Sequence, residues 1–306
     1  MSILINIPGR PLDKLIAKLS QSIAVEDIEV WPNIKSPEDI EFALVWKHQT
    51  GSLTGLPNLK AISSFGAGVD SILQDTALPT VPIARIVDDN LAVDMAEYVY
   101  AMVQHHRLRL GQFNQQQEHS HWKPKSARKG KRVGVLGAGQ LGMAVARLLK
   151  QRGFNVQTWS RSEKPNTDIP HLTGQNGFDE LVSQSDFLIC LLPLTTATEN
   201  ILNHSVFELM PSDAALINVA RGQHLVDDDL ITALDNYQLS FAYLDVFRQE
   251  PLPSEHKFWQ HQKIQITPHI SAVTNVDTAV AQVIENYQRV KAGKPIKNSI
   301  NLAFGY

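Results

Sequence analysis

The sequence predicts an α/β protein with two doubly wound parallel-sheet domains, and three observations support this prediction. The chain has 306 residues, which is enough for two domains of roughly 150 residues each. Short apolar segments alternate with amphipathic segments over most of its length, the pattern of βα units around a parallel sheet. A polar segment at residues 112–131 separates two such series. We therefore expect a connector there and a new domain after it.

The first series lies before this connector. Its apolar segments predict four strands, at residues 3–7, 43–46, 59–63 and 81–85. A glycine-containing turn, residues 65–70, follows the third strand. Residues 94–109 have apolar positions at helical spacing and contain neither Gly nor Pro, so they predict a long helix.

The second series follows the connector, and its order of strands and helices fits a doubly wound sheet. Its apolar segments predict six strands, at residues 132–136, 155–160, 187–192, 215–219, 241–245 and 264–267. Amphipathic segments predict helices at residues 140–151 and 227–236. A last helix is expected over residues 275–292, capped by Asn275 and ending near Gly293, and it can return to the first domain.

Composition and charge exclude several functional classes. The net charge is -3 and the basic residues form no long run, so the electrostatic surface that holds a nucleic-acid backbone is missing. Cys190 is the single cysteine, which excludes an intrachain disulfide and a cysteine-rich metal site. The N-terminus has no basic region before a long apolar stretch, and no uncharged segment reaches the roughly 20 residues that span a bilayer. We expect a cytoplasmic protein that uses no metal and binds neither nucleic acid nor membrane.

A glycine-rich motif opens the second series. The segment GAGQLG directly follows the strand RVGVL, so Gly137, Gly139 and Gly142 fill the spacing G-x-G-x-x-G. The first glycine allows a tight turn, the second lets a pyrophosphate approach the backbone, and the third allows close packing of the next helix. Because strand, turn and helix occur in register, the sequence predicts a dinucleotide site that also includes Gln140 and Leu141.

The end of the next strand indicates which dinucleotide binds. In an NAD site, an Asp or Glu about 20 residues after the motif binds the ribose 2′-hydroxyl. Here the strand ends in Ser160, Arg161 and Ser162, and no carboxylate appears before Glu163. A hydroxyl followed by a guanidinium suits a 2′-phosphate, because Arg donates several charge-assisted hydrogen bonds and no anion repels the ligand. We expect NADPH to be preferred over NADH, with Lys164 in support.

Three further motifs follow apolar strands of the second series, and each contains one candidate catalytic residue. NVARG contains Arg221, LDVFRQEP contains Glu250 and ITPHIS contains His269, so the three stand 29 and then 19 residues apart. Residues beyond the strand ends line the ligand crevice of an open α/β sheet. Together with the glycine motif, this order and spacing resemble the D-isomer-specific 2-hydroxyacid dehydrogenases. The resemblance covers essentially the whole chain.

The resemblance implies a domain arrangement and further site residues. A dinucleotide-binding Rossmann domain, residues 100–272, would be inserted in a flavodoxin-like substrate domain, residues 1–99 and 273–306, and the chain would form a homodimer. The implied cofactor-binding residues are Leu192, Pro193, Val219, Ala220 and Asp245. The implied substrate-binding residues, in addition to Arg221 and His269, are Trp46, Ala67, Gly68 and Val69.

Several features resemble one NADP-linked subfamily, the A-type glyoxylate/hydroxypyruvate reductases, among them the WSR strand end and the pair His121 and Trp122. The implied activity is NADPH-dependent reduction of small 2-oxo acids, glyoxylate to glycolate and hydroxypyruvate to D-glycerate. Hydride transfer leaves negative charge on the carbonyl oxygen. His269 suits the role of proton donor, Glu250 would orient it and favour the imidazolium, and Arg221 would bind carboxylate and carbonyl with its planar fork.

Two alternatives stay open at this point. The first is a regulatory protein that senses NAD(P)H and has lost turnover, against which the complete set of three candidate catalytic residues argues. The second is a dehydrogenase for a bulkier 2-oxo acid, such as phenylpyruvate or a branched-chain acid. The sequence does not decide this, because the pocket volume depends on the packing around Trp46 and on the C-terminal residues 304–306.

Overall fold

The chain divides into two compact units in the computed structural model, which describes residues 1–163 and 168–301. Lys164 and residues 304–306 lie outside the described residues. One unit comprises Met1–Asp89 and Thr274–Tyr306, and the other comprises Asn90–Val273. The assignment of substrate binding to the first unit and cofactor binding to the second stays a prediction.

The first unit contains a five-stranded parallel sheet. Its elements before the second unit are β1 (Ser2–Asn6), α1 (Asp13–Leu19), β2 (Ile28–Val30), β3 (Ile40–Val45), β4 (Ala61–Ser64), α2 (Asp70–Leu73) and β5 (Ile83–Ala84). The strand order is β2-β1-β3-β4-β5, and every neighbouring pair is parallel. This is the flavodoxin-like order of a doubly wound sheet.

The second unit contains a seven-stranded parallel sheet. Its elements are α3 (Asp89–Arg107), α4 (Leu110–Glu118), β6 (Arg132–Leu136), α5 (Gln140–Gln151), β7 (Asn155–Trp159), β8 (His171–Leu172), α6 (Gly174–Gln184), β9 (Phe187–Cys190), α7 (His204–Leu209), β10 (Ala215–Asn218), α8 (Asp227–Asp235), β11 (Phe241–Leu244) and β12 (Ile264–Ile266). The strand order is β12-β11-β10-β9-β6-β7-β8. It extends from β6 to one side through β7 and β8 and to the other side through β9 to β12, as in Rossmann domains. The predicted fold class is confirmed.

Both faces of the second sheet are covered, which explains why its strands are continuously apolar. Val135 and Leu136 are fully buried neighbours in β6, yet they belong to different core clusters, because successive side chains of a strand point to opposite faces. Val145 and Leu149 of α5 pack in the same cluster as Val135. The helix predicted over residues 140–151 therefore forms with the expected bounds and buries the expected face.

Helix α9 (Val276–Lys291) returns the chain to the first unit. The Asn275 side chain caps it by accepting a hydrogen bond from the Asp277 N–H at 2.8 Å. Val283 is fully buried in the core cluster that contains Ile3 of β1. The Tyr287 hydroxyl also donates to the carbonyl oxygen of Met1 at 2.7 Å.

The connector is where the structure departs most from the sequence prediction. Residues 112–131 begin inside α4, a helix that buries none of its residues. Because α4 has no buried apolar face, its sequence carries no strong helical periodicity, and the prediction of a connector missed it. The long helix predicted over residues 94–109 begins at Asp89 and ends at Arg107. Among the described residues, no helix is long and apolar enough to cross a membrane.

Candidate active site

The predicted site residues of the second unit lie beyond the carboxyl ends of its strands. All neighbouring strands of its sheet are parallel, so the segments that follow β6, β7 and β9 to β12 leave the sheet at one edge. These segments contain the glycine turn, residues 160–162, and the three candidate catalytic residues. The fold therefore gathers side chains that are far apart in the sequence.

The three glycines of the turn between β6 and α5 have different surroundings. Gly137 has φ +109°, and a Cβ there would lie 2.5 Å from the carbonyl oxygen of Leu191. A Cβ on Gly142 would lie 1.8 Å from the carbonyl oxygen of Gly137. Gly139 has no atom within 4 Å of an added Cβ. The first and third glycines thus allow close packing of protein against protein, whereas the second faces open space at the start of α5.

This open space fits the phosphates of a dinucleotide. A phosphate can approach the backbone at Gly139 because no side chain fills the space there. The first turn of α5, which begins at Gln140, places the positive end of the helix dipole at this space. Leu141 follows and packs against the core cluster of the helix.

The segment after β7 is tied to this turn. The Gly137 N–H donates to the carbonyl oxygen of Trp159, the last residue of β7, at 2.8 Å. The next residue, Ser160, donates its hydroxyl proton to the carbonyl oxygen of Ser162 at 2.7 Å. Arg161 lies between them and is exposed. The guanidinium that the sequence predicts to bind a 2′-phosphate is thus carried by a hydrogen-bonded turn beside the glycine motif.

The segment after β9 forms the opposite wall of the glycine turn, since the Leu191 carbonyl oxygen faces Gly137. Leu192 is buried. The carbonyl oxygen of Pro193 accepts a hydrogen bond from the Thr198 hydroxyl at 2.7 Å and lies 3.3 Å from Nε2 of His224. These contacts fix the segment where the resemblance implies contact with the cofactor.

The loop that carries Arg221 is held by Asn218, the last residue of β10. Asn218 is fully buried, and its side-chain amide donates to the carbonyl oxygen of Arg221 at 3.0 Å and accepts from the Ala220 N–H at 3.2 Å. Val219 and Ala220 are also buried, whereas Arg221 is half-buried. One Arg221 Nη1–H donates to the Ala220 carbonyl oxygen at 2.6 Å. Asn218 therefore determines where the guanidinium leaves the sheet.

Gly222 lets this loop touch the loop that follows β11. A Cβ on Gly222 would lie 1.9 Å from the carbonyl carbon of Phe247 and 2.2 Å from the backbone nitrogen of Arg248. No residue other than glycine fits at this approach. The loops that carry Arg221 and Glu250 are therefore in direct backbone contact.

Glu250 and His269 form the central hydrogen bond of the candidate site. Glu250 Oε2 lies 2.9 Å from Nδ1 of His269, and Oε1 accepts the Phe247 N–H at 3.1 Å. The His269 side chain is 34% exposed and that of Glu250 is 20% exposed. Among the described residues, none forms a hydrogen bond with Nε2 of His269. The Phe247 N–H thus fixes the carboxylate, and the carboxylate holds the His269 ring so that Nε2 is available to a ligand.

Asp245 holds the backbone around His269. This residue is fully buried, and its carboxylate accepts hydrogen bonds from the Ile270 N–H and the Ser271 N–H, both at 2.9 Å. Its backbone carbonyl accepts the His269 N–H at 2.9 Å. His269 has φ +54°, a left-handed conformation that persists in a non-glycine residue only where its surroundings enforce it. The hydrogen bonds of Asp245 to residues 269–271 stabilise this conformation. The contact of Asp245 with the cofactor stays a prediction.

Tyr98 extends this network into α3. The Thr267 hydroxyl donates to Oδ1 of Asp245 at 2.6 Å, so the Tyr98 hydroxyl, 2.6 Å from the Thr267 oxygen, is the donor of its own bond. Burial raises the pKa of Tyr98 to about 12, so this phenol stays protonated at neutral pH. The His269 segment is therefore anchored to both the sheet and a helix.

The first unit contains the remaining candidates, in the segments after β3 and β4. A Cβ on Gly66 would lie 2.3 Å from the ring of Trp46, so the indole packs directly on this glycine. The hydroxyl of buried Ser64 donates to the Gly68 carbonyl oxygen at 2.8 Å and accepts the Gly66 N–H at 3.2 Å. Trp46 and the glycine turn thus form one local structure.

The same turn presents backbone donors. Within residues 1–163 and 168–301, no group accepts a hydrogen bond from the N–H groups of Ala67, Gly68 or Val69. Ala67 and Gly68 are partly exposed, whereas the Val69 side chain is buried. Consecutive N–H groups of this kind suit a carboxylate.

Sequence reasoning did not identify the residues that position these candidates. Asn218 and Ser64 are polar side chains at the ends of buried strands, directly before a candidate loop. A buried polar group must be hydrogen-bonded, and the nearest unpaired partners are those of the adjacent loop. A polar residue at the end of an apolar strand was therefore the signal that could have identified them.

Comparison with known protein families gives one match over much of the second unit. A model of the D-isomer specific 2-hydroxyacid dehydrogenase NAD binding domain matches residues 99–271. A curated relative, glyoxylate/hydroxypyruvate reductase A of Yersinia enterocolitica, is 35% identical over 314 residues, with 100% of this chain and 100% of the relative covered.

Solved structures are similar to both units. A D-isomer specific 2-hydroxyacid dehydrogenase from Xanthobacter autotrophicus Py2, in complex with NADPH and MES, has a TM-score of 0.92 and 32% identity, with 100% of this chain and 99% of that chain covered. An NADPH-dependent glyoxylate/hydroxypyruvate reductase from Sinorhizobium meliloti, in complex with NADP and sulfate, has a TM-score of 0.92 and 30% identity, with 100% of both chains covered.

Proposed function

The chain belongs to the D-isomer specific 2-hydroxyacid dehydrogenase family, and we propose that it reduces glyoxylate to glycolate and hydroxypyruvate to D-glycerate with NADPH. It is an NADP-dependent dehydrogenase, as its similarity to reductases and to NADP-bound structures indicates. The single observation that carries the reaction is the 2.9 Å bond between Glu250 and Nδ1 of His269, at the sheet edge that also bears the glycine turn.

His269 is the proton donor in this proposal. Bound NADPH supplies the hydride that adds to the carbonyl carbon of the 2-oxo acid. The carbonyl oxygen then takes a proton from Nε2 of His269, which gives the 2-hydroxy acid. Glu250 keeps the ring oriented by its bond to Nδ1.

Arg221 binds the substrate and stabilises the developing charge. Its guanidinium is planar and can donate parallel hydrogen bonds to a carboxylate and a carbonyl. The bonds of Asn218 to this loop fix the point from which the side chain reaches out. A preorganised cation at this point lowers the energy of the oxyanion that forms when the hydride is transferred.

The substrate carboxylate is assigned to the turn of the first unit. The donors would be the N–H groups of Ala67, Gly68 and Val69. Trp46, whose indole packs on Gly66 of the same turn, is proposed as a wall of the substrate pocket.

NADPH is proposed to be preferred over NADH because of Arg161. The turn of residues 160–162 carries this guanidinium and two hydroxyl groups, and its only carboxylate neighbour in sequence is the exposed Glu163. The glycine turn together with Leu192, Pro193, Val219, Ala220 and Asp245 completes the proposed cofactor site.

Steady-state kinetics with a panel of 2-oxo acids and both reduced cofactors test the proposal. We expect the highest kcat/KM with glyoxylate or hydroxypyruvate and NADPH. A higher value with phenylpyruvate or a branched-chain acid would show that the substrate class is wrong. Cofactor binding without turnover of any substrate would instead support the NAD(P)H-sensing protein.

We also propose that the chain acts as a cytoplasmic homodimer. Trp122 is 96% exposed, and Leu108 and Leu110, at the junction of α3 and α4, are each 43% exposed. Large apolar side chains in neighbouring segments of a chain are typical of a surface that a second copy covers. Light scattering at micromolar concentration tests this, and a monomer alone would contradict it.

A further inference from the structure

His171 lies next to the turn that carries Arg161 and is not among the residues that the sequence or the resemblance assigns to a site. It is the first residue of β8 and pairs with Thr158 of β7. Both ring nitrogens are engaged: Nδ1 lies 2.9 Å from the Thr158 hydroxyl, and Nε2 lies 3.1 Å from the Ser160 hydroxyl and 3.4 Å from the Ser162 carbonyl oxygen. The ring therefore bridges the buried end of β7 and the first residue of the turn.

The hydrogen bonds of this bridge have a defined direction. Ser160 gives its hydroxyl proton to the carbonyl oxygen of Ser162, so its oxygen must accept the proton on Nε2 of His171. A neutral ring with its proton on Nε2 then accepts from Thr158 at Nδ1. The result is a chain of three hydrogen bonds that runs from the buried strand to the carbonyl oxygen of Ser162.

This chain of bonds involves the two residues that flank Arg161 in the sequence, Ser160 and Ser162. The backbone on both sides of Arg161 is fixed, at Ser160 by the imidazole and at Ser162 by the Ser160 hydroxyl. The same segment is joined to the glycine turn by the bond between the Gly137 N–H and the Trp159 carbonyl oxygen at 2.8 Å. The direction in which the guanidinium leaves the backbone thus depends on a ring that need not touch the ligand.

We propose that His171 is a positioning residue for the adenosine 2′-phosphate: it holds the turn of residues 160–162 in the conformation that presents Arg161 and the turn N–H groups to that phosphate. This inference rests on the proposed preference for NADPH and names a residue that sets it. Ser160 then acts chiefly as the link between the ring and the turn, because its hydroxyl proton is already committed to Ser162.

Calorimetric titration of the full-length protein with 2′,5′-ADP and with 5′-AMP separates this role from simple support of β8. Both probes occupy the adenosine part of a dinucleotide site, and only the first carries the 2′-phosphate. We expect His171→Leu to weaken 2′,5′-ADP binding about five- to tenfold, the effect of one or two lost hydrogen bonds, and 5′-AMP binding less than about twofold. The KM for NADPH should rise in parallel while kcat at saturating NADPH changes less than about twofold.

Four variants complete the test. His171→Gln retains an N–H group that can reach Ser160, so it should restore most of the 2′,5′-ADP affinity. Thr158→Val removes the bond at Nδ1, together with a 3.4 Å contact to the Pro170 carbonyl oxygen, and should weaken 2′,5′-ADP binding about two- to threefold. His204→Leu replaces a histidine on the surface of α7, where its partner is Glu208, and should leave both affinities unchanged. Ser160→Ala removes both bonds of the Ser160 hydroxyl, leaves only the 3.4 Å approach of Nε2 to the Ser162 carbonyl oxygen, and serves where His171→Leu does not fold.

The outcomes distinguish this inference from the proposed function. Equal losses of both probes in His171→Leu and Ser160→Ala, or no loss of either, would overturn the positioning role while the preference for NADPH stood. A wild-type protein that binds 2′,5′-ADP no better than 5′-AMP would overturn the preference itself and the inference with it.

Discussion

The two ends of the candidate site differ in how their residues are held. The first end comprises the loops after β10 to β12, which carry the candidate catalytic residues, and the second end is the turn of residues 160–162 after β7. After β10 and β11, the anchors are buried inside the unit: Asn218 makes two hydrogen bonds to its loop and the Asp245 carboxylate makes three, and both residues are fully buried. After β7, the turn of residues 160–162 is partly exposed, and hydroxyl groups and one imidazole hold it near the surface.

This difference reflects what each end has to do. Proton transfer and charge stabilisation need fixed positions, and a buried polar network provides them because breaking it leaves unpaired groups away from water. Recognition of one phosphate needs only a few charged contacts in a solvated pocket. Loss of the proton donor or of the guanidinium fork at the first end should therefore cost far more activity than loss of Arg161 at the second, and it should affect both cofactors equally.

His269→Ala is the substitution with the largest expected effect. Loss of the proton donor should lower the rate of 2-oxo acid reduction by about 10² to 10⁴ at every pH, with either cofactor. The fold should survive, because the side chain is 34% exposed and its loop is held by Asp245. Steady-state rates and thermal unfolding provide the measurement, with His204→Ala as the matched surface control. Near-normal rates would remove His269 from the role of proton donor.

Arg221→Lys should have the next largest effect. An ammonium group keeps the charge but cannot donate two parallel hydrogen bonds, so kcat/KM should fall about a hundredfold or more. Arg147→Lys is the control for replacing an arginine by a lysine, because Arg147 lies on the surface of α5 and forms an ion pair with Asp168. A variant that retained most of its activity would reduce Arg221 to a general positive charge.

Acid should destabilise the second unit, because it contains a buried histidine. His106 of α3 packs against Phe187 of β9 and Tyr243 of β11, and its burial, aided by the positive charges of Arg128 and Arg109, lowers its pKa to about 3. The unfolded chain takes up this proton below pH 6.5 and the folded chain does not. Stability is therefore complete at neutral pH and falls as the pH drops from 6.5 towards 3, by up to about 1.4 kcal/mol per unit.

Denaturant unfolding at several acid pH values checks this prediction. In His106→Leu, the decline of the unfolding free energy with falling pH should be shallower, because the titrating group is gone. Ser240, the hydrogen-bond partner of His106, still donates to the carbonyl oxygen of Ala214 in that variant. An unchanged slope would show that other groups dominate acid unfolding.

The sequence predicted the sheets more completely than the positions of the site residues. Continuous apolar strands and the helix over residues 140–151 could be read directly, because burial on both sheet faces imposes a strong pattern. Helix α4 was missed because it buries nothing. Elements without a buried face leave no hydrophobic signal in the sequence.

At the site, the sequence identified Glu250 and His269 as a pair, and the structure brings their side chains together. The anchors Asn218 and His171 were not identified from the sequence, although the position of Asn218 at the end of an apolar strand marks it as a candidate. Their function depends on which loop or hydroxyl lies beside them, and that is decided by strand register, such as the pairing of Thr158 with His171. The catalytic assignment of the three candidate residues stays a prediction that the kinetic tests decide.

Arg161→Ala tests the second end of the site. The KM for NADPH should rise about tenfold, consistent with the loss of hydrogen bonds to a charged group, and the KM for NADH should hardly change. Arg152→Ala removes an exposed cation at the end of α5, where it lies over Tyr100, and serves as the control for charge alone. Equal losses with both cofactors would mean that Arg161 is structural and that the two ends do not differ as proposed.

Glu250→Gln has the smallest expected effect at neutral pH and gives the sharpest test of the catalytic end. Glutamine keeps the approximate size of the side chain and a possible hydrogen bond to Nδ1 of His269, now 2.9 Å from Glu250 Oε2, but it removes the negative charge. Both carboxylate oxygens accept a hydrogen bond in the wild type, Oε2 from His269 and Oε1 from the Phe247 N–H, whereas a glutamine amide has only one accepting oxygen. The ring should therefore be held less firmly in the variant, and kcat should fall a few-fold with either cofactor, while the KM for NADPH stays within about twofold. Steady-state rates with NADPH and with NADH check this prediction. An unchanged kcat would show that Glu250 does not orient the ring for proton transfer.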